Sequence, residues 1–518
     1  VLLMRLPYGR EVASTVVYAQ PSWFARRGYI VVIQDVRGRG ESEGVFTPFF
    51  QEAEDGYDTV EWAAQLPKSN GKVGMYGFSY QGYTQLMAAS MQPPSLVALA
   101  PHMTAFDPFT GWFYRGGLLN ISFTLTWANQ IMREDAARKE TWELYDALEE
   151  SWKSPQALMS QLPIESASPL MSEGAPAYAR QWVSHSHYDG FWKDINLLEK
   201  ADVLAEYPMF HLVGWYDWFS HGGWEGFSEM RLRQPDRHCL VCGPWIHFPW
   251  GQKTGDFTFG PNARPAINEL LAEWFGYHLK GVGSPPESRY FLQGSEEWVT
   301  LPDFDLVESE TRAFYLDSDG NANSRFGDGV LNDRLRYSQS DQYVYDPEVP
   351  APGPGAGLDD SMTWGPCDLA RPQENNHFLV YTSEPQTDTL RILGKPACLL
   401  CASSTASHTA FVAKLSKVDK NDRAHFLCLG SVKVGPEDKD DEGVFSVWID
   451  FDPTSACLFE GECLRLDVSS SAFPMVAKAS NSEIPDHQVA RACQYKKAIQ
   501  FVHHNPDYPS RLIVPLAP

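Results

Sequence analysis

No uncharged apolar run in this chain reaches the roughly 18 residues that a membrane-spanning helix needs. Basic side chains are also short: 42 Lys and Arg stand against 66 Asp and Glu, a formal net charge of −24. Phosphate backbones are held by clustered Lys and Arg, so this balance speaks against a nucleic-acid partner and equally against an anionic membrane surface. Cysteine is scarce. There are nine in 518 residues, an odd number, and seven of them fall between Cys367 and Cys493. A secreted disulfide framework is normally smaller and even-numbered, so thiols in a reducing, cytoplasmic compartment are the simpler expectation. Cys239-Leu-Val-Cys242 lies in an apolar run with no second CxxC, which argues against a zinc or redox centre. The amino end lacks both an initiator Met and the basic–apolar–small pattern of a signal peptide; VLLMRLPYGR reads as a strand already under way. Residues upstream, with any targeting signal they carry, are therefore expected to be missing.

What is present is an ordinary folded composition, 43% apolar and 21% charged, which rules out global disorder. The length allows two to four domains of about 100–200 residues each. In the first hundred residues, Tyr29–Gln34, Lys72–Tyr76 and Leu96–Ala100 read as buried strands. Glu52–Gln65 and Tyr83–Met91 between them read as helices, the alternation of a parallel α/β sheet. From Asp107 to Ala205 strand signals vanish and helix-forming stretches, Trp127–Glu150 and Pro155–Leu162, predict a helical insertion. Strands resume at Pro208–Gly214 and His238–Gly243, around a helix over Gly222–Arg233, and a further helix over Ala266–Leu279 precedes the breaker Gly281–Pro286. Beyond it, short alternating runs (Arg312–Leu316, Phe378–Tyr381, Ala397–Cys401, Val444–Ile449, Leu464–Val468) predict an antiparallel sandwich or jelly roll, with Pro347–Gly357 as an internal loop.

The chemistry concentrates at Lys72–Ala88, KVGMYGFSYQGYTQLMA, a strand, a tight turn at Ser79 and a helix. A sharp strand-to-helix turn presents a hydroxyl clear of the backbone, beside helix N–H groups that favour a developing anion. The spacing is G-x-S-x-x-G rather than G-x-S-x-G, because Gln81 occupies the fifth position and Gly82 follows. A serine nucleophile in such a sheet is followed in the chain by an acid and then a histidine. Asp217, three residues past one strand, and His247, after the next, meet that order; His221 is the rival histidine. His185-x-His187 reads as a capping or surface pair, and His503 and His504 lie far off in the β-rich part. Asp35-Val-Arg-Gly-Arg-Gly40 lacks the spacing of a dinucleotide loop and reads as a loop held by salt bridges of Arg37 and Asp35. Tyr188, Asp189 and Trp192 are expected to anchor the insertion. Trp218 and Phe219 are candidates for a substrate pocket wall or for core.

Seven blocks carry a resemblance: LLMRLPYGR (2–10), VVIQDVRGRGESEG (31–44), GFSYQGYTQ (77–85), HYDGFW (187–192), GWYDWF (214–219), GPWIH (243–247) and LRLDVSSSAFP (464–474). The chain resembles the cocaine-esterase-like group of α/β-hydrolases, related to the X-prolyl dipeptidyl-peptidases (peptidase S15) and the α-amino-acid ester hydrolases. The resemblance implies an α/β-hydrolase domain split over 1–106 and 206–284, a helical cap over 107–205 and a C-terminal jelly roll over 285–518. It implies Ser79 as nucleophile, His247 as general base, Asp217 as its orienting acid, and an oxyanion hole of the Tyr8 hydroxyl with the Tyr80 N–H. The expected activity is hydrolysis of a small ester or amide through an acyl-enzyme, by a homodimer needing neither metal nor organic cofactor. The alternatives are a dipeptidyl-peptidase or amino-acid ester hydrolase, which would hold a substrate ammonium among Glu134, Asp135, Glu143 and Asp146, or a non-catalytic carbohydrate-binding protein.

Overall fold

The computed structural model describes residues 1–301, 310–354 and 365–517; the end of the Pro347–Gly357 loop lies outside them. Eight strands form the first sheet: β1 (Leu2–Leu6), β2 (Val31–Asp35), β3 (Val73–Phe78), β4 (Leu96–His102), β5 (Met209–Gly214), β6 (His238–Gly243), β7 (Arg289–Leu292) and β8 (Glu297–Thr300). Their order is β8-β7-β6-β5-β4-β3-β1-β2, parallel except for β8, which runs against β7. Gly281–Pro286 therefore does not close this sheet, as the expected limit at residue 284 implied. Arg289–Leu292 pairs in parallel with β6 and brings β8 with it.

The apolar strands fit because both faces are covered. Leu3, Met75, Leu99 and Met209 pack on one side with Leu86 and Ala89 of the helix α2 (Tyr80–Ser90), next to α1 (Glu52–Ala64). Leu2, Met4, Tyr76, Phe210 and Val241 pack on the other with Leu271, Trp274 and Phe275. The alternation at period two, with apolar residues on both faces, is what a doubly covered parallel strand requires.

Between β4 and β5 the chain runs through α3 (Ile121–Arg138), α4 (Trp142–Trp152) and shorter helical turns, with one two-residue ribbon, Tyr114–Arg115 against Leu118–Leu119. The stretch Trp127–Glu150 is thus two helices rather than one. Glu140 takes a left-handed φ of 56° and α4 folds back on α3, where Asn129 donates to the Leu148 carbonyl at 3.1 Å and Arg133 pairs with Glu149 at 2.6 Å. The residues after Glu310 are sheet-rich, with a ten-strand path of largely antiparallel pairs and an apolar core of their own. The ribbon docks on them through a buried Arg115–Asp452 ion pair of 2.6 Å and a bond from Lys433 N to the Gly116 carbonyl. No helix among the described residues is long and apolar enough to cross a membrane.

Three of the buried histidines of the first domain, His102, His211 and His238, lie in its strands. Burial lowers His102 to about 3 and His238 to about 4, and holds His211 well below the ordinary imidazole value. In the unfolded chain each takes up its proton near pH 6.5, while the folded chain does not. Their contribution is complete above pH 6.5 and is lost on acidification, at up to about 1.4 kcal/mol per pH unit for each. We expect the urea midpoint to fall steeply between pH 7 and pH 5; an unchanged midpoint would show these imidazoles to be solvated.

Candidate active site

β3 ends in a turn whose central residue, Ser79, has φ 63° and ψ −131°. A non-glycine residue in this region costs about 1–3 kcal/mol, so the surroundings must hold it there. They do: the Ser79 N–H reaches the carbonyls of His102 (2.9 Å) and Met103 (3.1 Å) at the end of β4. The two flanking glycines are steric requirements. A Cβ on Gly77 would lie 2.5 Å from Cβ of Gln81, and one on Gly82 would lie 2.8 Å from Thr104 Cγ2. The helix meets β4 at Gly82 rather than at position 81, which explains the displaced glycine.

Tyr80 opens α2 with its ring turned into the core. Its hydroxyl accepts from the Phe49 N–H at 2.7 Å and donates to Glu52 Oε1 at 3.1 Å, and Glu52 is paired with Arg5 at 3.0 Å. Burial raises the Glu52 carboxyl and Arg5 opposes the rise. The Tyr80 side chain is thus taken up by the core, and its backbone N–H is one of the helix-opening donors that have no preceding carbonyl within the helix.

The loops after β5 and β6 are stitched together. Trp215 N bonds the Gly243 carbonyl at 2.8 Å and Tyr216 N the Trp245 carbonyl at 3.0 Å, while a Cβ on Gly214 would approach Trp245 O to 2.4 Å. This register sets Asp217 Oδ1 2.9 Å from His247 Nδ1, both side chains almost wholly buried. Asp217 Oδ2 is buried without a hydrogen bond among the described residues. The His247 ring lies 5.4 Å from that of Phe78, which precedes Ser79, and 5.1 Å from Phe219. The rival His221 makes no bond to Asp217; burial holds it neutral, well below its ordinary value, beside Lys395 and Arg115.

Tyr8 follows β1 at the same end of the sheet. Its hydroxyl accepts from the Trp127 indole N–H at 3.1 Å. Burial pushes its pKa up to about 12, with the Trp127 and Ser79 hydrogen bonds partly opposing. It is therefore a neutral donor at any working pH. Trp127 and Arg39 escaped sequence reasoning. In the 35–40 loop Arg37 pairs with Asp55 and Asp35 with Arg10, but the buried anchor is Arg39, held by the Pro7 carbonyl (2.9 Å), Glu134 (2.5 Å) and Asp135 (3.2 Å). Trp218 and Phe219 are buried; Phe219 packs 4.4 Å from the Trp112 ring and Trp218 6.0 Å from Phe123. His185 bonds Asp189 at 2.6 Å, Asp189 caps the turn at Phe191, and the Trp192 indole donates to the His185 carbonyl. His504 is paired with Asp341 in the β-rich region. Cys239 and Cys242 lie unbridged in β6, their thiols raised by burial. Among the described residues no cluster of three metal-ligating side chains occurs.

A serine on a strained turn after a central parallel strand, with an aspartate and a histidine at later strand ends, is the arrangement of the α/β-hydrolases. Comparison with known proteins narrows the class. Residues 1–249 match the X-Pro dipeptidyl-peptidase (S15 family) model, and residues 280–513 match the X-Pro dipeptidyl-peptidase C-terminal non-catalytic domain. The chain is 32% identical to cocaine esterase of Rhodococcus sp. (strain MB1 Bresler), covering 100% of this chain and 93% of that protein. Its fold is shared with an aminopeptidase from a marine sediment Thaumarchaeota archaeon (TM-score 0.82, 22% identity, 99% and 91% of the two chains). It is shared too with an α-amino acid ester hydrolase (TM-score 0.74, 23% identity, 100% and 92%). The chain belongs to the cocaine esterase-like, X-Pro dipeptidyl-peptidase (S15) family and is a serine hydrolase of ester or amide bonds.

Proposed function

We propose that this hydrolase cleaves small acyl esters or amides that carry no free amine, with Ser79 as nucleophile. Ser79 Oγ attacks the acyl carbon while His247 takes its proton, and Asp217 holds the Nδ1–H tautomer that leaves Nε2 free to accept. The carbonyl oxygen becomes an oxyanion held by the Tyr8 hydroxyl and the Tyr80 N–H. Collapse expels the alcohol or amine with the proton from His247, and water repeats the sequence to free the acid. The Asp217–His247 bond, at the sheet end that carries Ser79, is the observation that supports this most. Phe219, beside His247, and Trp218 next to it form one wall of the acyl or leaving-group pocket in this reading.

The absence of an amine requirement is supported by the acids of the insertion. Glu134 and Asp135 are bound to Arg39, Asp135 also accepts from the Tyr178 hydroxyl at 2.9 Å, and Glu143 and Asp146 face solvent. None of the four is placed to neutralise a substrate ammonium. Residues 107–205 act as a cap over the site, and the β-rich region is a jelly-roll sandwich, a reading supported by its antiparallel pairing around one core. A cytoplasmic homodimer rests on the resemblance and the cysteine usage. Turnover of an aryl acyl ester, an amino-acid ester and an Ala-Pro anilide should be compared. We expect kcat/KM to be at least about tenfold higher for the acyl ester, the factor that about 1.4 kcal/mol of transition-state preference gives. A many-fold preference for the Ala-Pro anilide would overturn this choice.

A further inference from the structure

Tyr8 follows β1 of the first sheet, yet the groups that fix it lead to the insertion. Trp127 Nε1 of α3 donates to Tyr8 Oη at 3.1 Å. One residue back, the Pro7 carbonyl accepts from Arg39 Nε at 2.9 Å, and the same guanidinium donates to the Ile131 carbonyl (3.0 Å) and Asp135 Oδ1 (3.2 Å) on α3. We propose that Trp127 is a positioning residue for the oxyanion hole, its indole N–H aiming the Tyr8 hydroxyl proton at the reacting carbonyl oxygen. This rests on the role given to Tyr8 above.

The chemistry is that of a single rotor. A phenol oxygen carries one proton and accepts through its remaining lone pairs, whereas an indole N–H donates and cannot accept. With the Trp127 N–H donating to Oη, the Tyr8 proton finds no acceptor in the indole and is turned away from it, free to be given to another group. Accepting one hydrogen bond also makes the hydroxyl a stronger donor of the next. A side chain that could accept in place of the indole would draw the proton off the site. Trp127 is itself immobilised, stacked on Trp182 (4.9 Å, 13°) and on Phe123 (5.8 Å, 14°). The insertion thereby completes a donor that the hydrolase sheet supplies only in part, and a tilt of α3 away from the sheet would disorient it.

The test replaces the N–H without changing the shape. Trp127→3-benzothienylalanine puts sulfur where the N–H was and keeps the stacking; Trp127→Phe is the genetically encoded companion. Each is measured on a p-nitrophenyl ester in the otherwise native chain and in the Tyr8→Phe background. In the native background kcat should fall about tenfold, the worth of one neutral hydrogen bond, with KM within about twofold. In the Tyr8→Phe background the same replacement should change kcat by no more than about twofold, because the atom it acts through is gone. Equal losses in both backgrounds, or a rise in KM with kcat retained, would make Trp127 a packing or pocket residue and overturn the proposal. If Tyr8→Phe alone leaves kcat unchanged, it is the oxyanion-hole reading that fails. Should the Phe variant not fold, the isosteric variant decides.

Discussion

Replacing Ser79 by alanine is expected to lower kcat on a p-nitrophenyl ester by about 10⁵–10⁶-fold, the scale on which removal of a covalent nucleophile acts in serine hydrolases. KM should move little, because the turn keeps its backbone hydrogen bonds and only one side-chain oxygen is lost. Alanine is no more strained than serine at φ 63°, and the N–H bonds to His102 and Met103 belong to the backbone. The thermal midpoint should therefore stay close to that of the native chain. The burst of nitrophenolate that reports acylation should vanish with the steady rate. A variant that keeps its burst would place the nucleophile elsewhere.

Asp217→Asn should cost about 10⁴-fold in kcat with the fold intact. The carboxylate Oδ1 sits 2.9 Å from His247 Nδ1 and accepts the hydrogen bond of its N–H. An asparagine that turns its amide nitrogen to this position donates instead, so Nδ1 must give up its proton and Nε2 must carry one. An Nε2–H cannot take the proton of Ser79. The loss should appear in kcat rather than KM, and should shrink at alkaline pH where hydroxide replaces the base. A fall of only a few-fold would mean that the histidine is oriented by its ring contacts with Phe78 and Phe219 alone.

Much of the sheet was legible in the sequence. β3, β4, β5 and β6 are almost wholly buried, so apolar residues fill both faces of each and give the run its strand signal, although His102, His211 and His238 lie within them. The errors have physical causes. Residues 127–150 carry helical periodicity throughout, and nothing in it marks Glu140 as the left-handed residue where the chain reverses. Arg289–Leu292 and Glu297–Thr300 are four residues each, and so short a strand says nothing about which sheet it will join. Ser79, Asp217 and His247 could be nominated because strand ends and chain order constrain them. Tyr8 came only through resemblance, since an aromatic after a strand is ordinary. Trp127 and Arg39 had no local signal, because the partners that fix them lie 32 to 119 residues away.

Acylation of Ser79 in turnover can be read by mass spectrometry of the chain after reaction with a fluorophosphonate. We expect one adduct per chain, carried by the peptide that contains Ser79, absent from Ser79→Ala and strongly slowed in His247→Ala. An adduct on another serine, or full labelling of the Ser79→Ala chain, would contradict it.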